Sequence, residues 1–100
     1  MVGPDLSGLP PAAQAAFAAL QRQFCAGLAE RWVAIAEAPT PQAQTQALHK
    51  LAGAAGSYGM GALSQAARTA EHLAPQGPSA ELSAALNQLH TLVDAARAGA

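Results

Sequence analysis

Apolar positions along this chain recur at intervals of three and four, the spacing that places them on one face of a helix. Pro10 and Pro11 can open the first helix, since a first-turn proline has no intrahelical N–H bond to lose. Phe17, Leu20, Phe24, Leu28, Trp32 and Ile35 then predict one apolar face, ending near Ala38, where "APTP" intervenes. Thr40 can cap a second helix with Pro41 at its first position, and Leu48, Leu51, Ala55 and Tyr58 form its inward stripe. The run "GSYGMG" ends it, with a tight reversal expected over Gly59 to Gly61. A third helix carries Met60, Leu63, Ala67, Ala70 and Ala74 on one side and closes at "PQGPS". Ser79 caps a fourth, with Glu81 in its first turn and Leu82, Leu86, Leu89 and Val93 facing inward. Four amphipathic helices joined by short turns predict an all-α, antiparallel up-and-down four-helix bundle. A single domain over residues 1–100 is expected, with 1–9 expected to be a flexible or irregular N-terminal segment.

Composition supports helices. Apolar residues make up 51% of the chain and aromatics only 4%, so Ala and Leu must build the core. With 11% charged residues and a formal net charge of −1, there is no electrostatic footprint for nucleic acid or an anionic membrane. The lone Cys25 excludes an internal disulfide and fits a reducing compartment. "MVGPDLSG" lacks the basic start and apolar run of a secretory signal, and no stretch approaches the ~18 to 20 apolar residues that span a bilayer. A soluble cytoplasmic domain is expected.

Reactive side chains are few. His49, His72 and His90 fall on three different predicted helices without a second ligand at i+3 or i+4, so a zinc site is not expected. Cys25, between apolar neighbours, reads as a buried thiol and not a nucleophile. His72 lies in the last turn of its helix, where a cation favours the dipole, and His90 sits beside Leu89 without small neighbours.

His49 is set apart by its surroundings. It stands one step off the core stripe of Leu48 and Leu51, and Thr45, Ala52, Gly53 and Gly56 on its face are all small. A glycine inside a helix costs roughly 1 kcal/mol relative to alanine. Gly53, four residues on, spends that stability to remove the side chain that would stack on the imidazole. An imidazole standing clear on a flat helical surface suits a reaction in which another protein brings its own active site close. Imidazole is a competent nucleophile near neutral pH, and a ring nitrogen can accept a phosphoryl group. Lys50 is adjacent in sequence, about 100° around the helix, with a stem long enough to approach.

The stretch "LHKLAGAAGSYGMGALSQAARTAE", residues 48–71, resembles the signature of histidine-containing phosphotransfer (HPt) domains. The resemblance lies in a histidine, a glycine four residues later, small residues over the next turn, a turn glycine, and a following helix with a late Arg-x-x-Glu. Leu63, Arg68 and Glu71 match that following helix here. It implies that His49 is the phospho-acceptor, that Gly53 leaves it accessible, and that Gly56 and Gly59 occupy the small and turn positions. Many members carry lysine or arginine three residues after the histidine, where this chain has Ala52. A variant pattern places the basic residue directly after it, as Lys50 is here. The implied function is a phosphocarrier of a two-component phosphorelay, accepting and donating a phosphoryl group on His49 to and from receiver-domain aspartates. Such a domain has no catalytic machinery of its own and is not a kinase. The receiver would supply Mg²⁺ and most of the transition-state stabilisation. Expected partners are response-regulator receiver domains and hybrid sensor histidine kinases, and the small single core favours a monomer.

A reading of another class competes: a non-catalytic helical adaptor or dimerisation module, its glycine face serving only to pack helices. A histidine metal site is a third, predicting stoichiometric metal in the purified protein.

Overall fold

The computed structural model describes residues 8–99, all helix and connecting turns. Helix α1 spans Pro11–Ala26, α2 Leu28–Ala36, α3 Pro41–Ser57, α4 Gly61–Leu73 and α5 Ala80–Ala98, with a 3₁₀ turn at Ala74–Gln76. Helices α2, α3, α4 and α5 form the four-helix bundle, with α3 against α4 as its most extensive contact. The segment expected to be irregular, residues 1–9, lies outside the described residues apart from Gly8 and Leu9, which turn into α1.

The helix starts follow from local chemistry. The Thr40 hydroxyl accepts from the Ala43 N–H at 3.1 Å, with Pro41 at the first helical position. Ser79 accepts from the Leu82 N–H at 3.0 Å, and Glu81 sits in the first turn of α5. Gly59 carries the α3–α4 reversal at φ 73°, and Gly77 carries the turn into α5 at φ 82°. Both values lie in the left-handed region, where a side chain is strained.

The core is aliphatic and small. Leu28, Ile35, Leu48, Leu51, Leu89 and Val93 are its largest fully buried side chains, with Ala52, Ala55, Ala67, Ala70 and Ala74 packed among them. Alanine at these positions lets helix axes approach closely. Ser64, also buried, donates to the Ala52 carbonyl at 2.8 Å, so the α3–α4 seam holds no unsatisfied hydroxyl.

The first helix differs from expectation. Instead of one helix from Pro11 to Ala38, the chain breaks at Gly27, whose N–H is shared between the Gln23 and Phe24 carbonyls. Only Phe24 and Cys25 of α1 are buried, and Leu20, expected inward, is 47% exposed. The reason is the face that α1 turns to the bundle: Phe17, Gln21, Phe24 and Cys25, three and four apart, meet Tyr58 and Met60, and Leu20 falls to the side of that stripe. What anchors α1 is Tyr58, at the end of α3. Its ring lies 5.2 Å from that of Phe24 and 6.3 Å from that of Phe17, and its carbonyl accepts from Gln21 at 2.6 Å.

Candidate functional site

His49 lies near the middle of α3, on the side that turns toward α4. The buried stripe of Leu48, Leu51, Ala52 and Ala55 fixes the helix's rotation, and His49 falls just off that stripe, its side chain 72% exposed. From the neighbouring antiparallel helix, Glu71 reaches across the seam and places Oε2 2.8 Å from His49 Nδ1. The carboxylate is largely covered, its side chain 24% exposed, while the ring stands in solvent.

This contact bears on the tautomer of the imidazole. A carboxylate only accepts, so Nδ1 must carry the proton and donate it. In the neutral ring, Nε2 then holds the lone pair, and among the described residues it has no partner. The arrangement is an exposed ring with a lone pair free on Nε2, its neutral tautomer favoured by the carboxylate at Nδ1. Glu71 entered the sequence reading only as part of the Arg-x-x-Glu match. No local pattern connects it to His49, because the two meet only when α3 and α4 lie antiparallel.

The other candidate residues are placed as follows. Gly53 is exposed, and a Cβ built on it would meet nothing within 4 Å. The surface one turn past His49 is therefore open. Gly56, two turns on, is half-buried, and a Cβ there would stand 3.4 Å from Ser64 Oγ. Its smallness serves the closeness of α3 to α4. Ala52 is not on the open face with His49 but wholly inside the core, where its carbonyl receives the Ser64 hydroxyl. Lys50 is exposed and lines a different groove, between α2 and α3, with Arg31, Ala34 and Gln46. The geometry joins His49 with Gly53 and Glu71, and sets Lys50 around the helix from them.

Beside this pair lies an open polar groove of about 410 Å³, lined by Thr45, Arg68, Glu71, His72 and Pro75. His90 is elsewhere, stacked on Trp32 with ring centroids 4.5 Å apart and 3.6 Å from Asp94. Cys25 is buried with its thiol 3.9 Å from the Met60 sulfur. Among the described residues no group of three or more His, Cys, Asp or Glu could hold a metal ion, and no helix is long and apolar enough to cross a membrane.

A protein-family model described as Hpt domain matches residues 13–99, nearly the whole chain. No curated protein and no solved structure matches it significantly.

Proposed function

The chain belongs to the Hpt domain family, whose members serve histidine phosphotransfer with receiver domains and histidine kinases in phosphorelays, and from that premise we propose that His49 is its phosphoryl-accepting residue. The observation that carries this is the exposed ring whose Nδ1 lies against Glu71, leaving Nε2 as the nucleophile. In the proposed step the Nε2 lone pair attacks the phosphorus of a receiver aspartyl phosphate. An N–P bond forms, the P–O bond to the aspartate breaks, and its electron pair stays on the released carboxylate. No proton leaves Nε2. The ring becomes positive as the bond forms, and the Nδ1 proton shared with Glu71 lets the carboxylate stabilise that charge. Transfer out of the domain is the same sequence reversed. In this proposal Mg²⁺ belongs to the receiver, and the domain brings only a positioned nucleophile.

Gly53 supports the same reading, since the absent side chain leaves room for a partner's active-site loops over the ring. A purely adaptor role gives no reason for an exposed imidazole to be held by a mostly covered carboxylate. The test is to mix the protein with a phosphorylated receiver domain and follow acid-labile phosphate. The wild-type chain is expected to take it up and His49→Gln to take up none. Uptake by His49→Gln would overturn the assignment.

A further inference from the structure

The proposed step leaves a charge unanswered. Glu71 stabilises the ring, but the phosphoryl group brings about two negative charges of its own to the outer side of Nε2. A carboxylate behind the ring makes that worse, not better. Lys50, the nearest cation in sequence, lines the groove between α2 and α3, away from the side that faces Glu71.

Resting on the assignment of His49, we infer that Arg68 is the cation that meets the phosphoryl group. Arg68 lies three residues before Glu71 on α4, so the two side chains leave neighbouring points on one face, with Cβ atoms about 5–6 Å apart. Both line the open groove beside the His49–Glu71 pair. Arg68 is exposed, and among the described residues it makes no ion pair or hydrogen bond, even though Glu71 is within its reach. Glu71 is already committed to His49. The guanidinium is thus an unspent charge beside a site that gains anionic charge. Its planar fork offers two parallel N–H donors to phosphate oxygens, which an ammonium does not. Gly53 completes the argument from the α3 side. In the antiparallel pairing that sets His49 opposite Glu71, a residue one turn along α3 stands opposite one about a turn back along α4. Gly53 therefore lies level with Arg68, and no side chain there separates the guanidinium from the ring. The remaining charged or titratable groups around this surface are His72 on α4, one turn from Arg68 and lining the same groove, and Lys50. The cation is supplied by α4, and α3 needs none at Ala52, where the core leaves no room for one.

The test uses the full chain, phosphorylated with potassium phosphoramidate, and follows the ³¹P resonance of phosphohistidine against pH. The signal belonging to His49 is the one missing in His49→Gln. Loss of a neighbouring cation makes the phosphoryl group harder to ionise, so Arg68→Ala should raise the midpoint of its titration by roughly 0.2 to 0.7 unit, the size expected at an exposed site. Arg68→Lys should restore part of the shift. Circular dichroism should be unchanged, because Arg68 is exposed and makes no hydrogen bond or ion pair among the described residues. Equal midpoints in wild type and Arg68→Ala overturn the inference while leaving His49 as acceptor. So does a shift in Lys50→Ala as large as that in Arg68→Ala. Absence of the His49 signal in the wild type overturns both the assignment and the inference.

Discussion

Glu71 and His49 stand twenty-two residues apart in the chain and 2.8 Å apart in space, one on α4 and one on α3. The contact ties the chemistry of the ring to the packing of two helices. Anything that slides α4 along α3 moves the carboxylate away from Nδ1, and with it the preference for which nitrogen carries the proton. The seam that prevents sliding is built from Ala52, Ala55, Ala67 and Ala70, all fully buried, and from the Ser64 bond to the Ala52 carbonyl. The bland part of the bundle is therefore what positions its reactive group.

The first prediction concerns that carboxylate. Glu71→Ala should slow phosphoryl uptake from a phosphorylated receiver by several-fold to about tenfold. A charge-assisted hydrogen bond is worth about 1.5–3 kcal/mol, and exposure of the ring to water screens part of it. Each ~1.4 kcal/mol lost from transition-state stabilisation is tenfold in rate. Glu71→Gln keeps an acceptor for Nδ1–H without the charge and should fall between the two. The ¹⁵N shifts of the His49 ring provide the independent check. The wild type should show Nδ1–H as the main neutral tautomer, and Glu71→Ala should lose that preference.

How much of this was legible in the sequence depends on the range of each interaction. Helix starts were readable because a cap and a proline act within one turn, as at Thr40–Pro41 and Ser79. The inward stripes of α3, α4 and α5 were readable because period 3.6 sets them, and Leu48, Leu51, Leu63, Leu89 and Val93 are all buried. The first helix was harder. Its apolar face continues through Gly27 without a visible break, and only the tertiary contact with Tyr58 shows that Phe17, Gln21 and Phe24 face the bundle while Leu20 does not. At the site, small residues marked the surface around His49, but smallness alone does not tell an open position from a tight one. Gly53 faces solvent, Gly56 faces Ser64, and Ala52 is inside the core. The pairing of His49 with Glu71 is a tertiary contact with no local signature.

Tyr58 provides the second prediction. It holds the end of α1 through two ring contacts and a carbonyl, so the mobility of α1 should depend on it more than the bundle does. Tyr58→Ala should raise amide exchange along α1, most of all before Phe24, while α3, α4 and α5 keep their protection. The global cost should be about 1–2 kcal/mol, below the 3–5 of a fully buried aromatic, because Tyr58 is only half-buried. Uniform loss of protection across all helices would show that α1 is an integral part of the cooperative unit and not an appendage on its end.

The third prediction separates stability from function at one glycine. Gly53 lies inside α3 without a positive φ, and an added Cβ has open space. Gly53→Ala should therefore stabilise the fold by about 0.5–1 kcal/mol through the unfolded chain's lost freedom. In a domain of this size that is a rise of roughly 2–8 °C in Tm. A methyl group should leave phosphotransfer near the wild-type rate. Gly53→Glu should also keep the helix, yet slow transfer by tenfold or more, since its longer and negatively charged side chain reaches into the space beside the ring and repels the incoming phosphoryl group. Thermal denaturation and transfer rates measured on the same two variants decide the matter. If Gly53→Ala destabilises the protein, the position is held by something other than the openness of its surface. If Gly53→Glu transfers at the wild-type rate, partner access does not pass over this turn of α3.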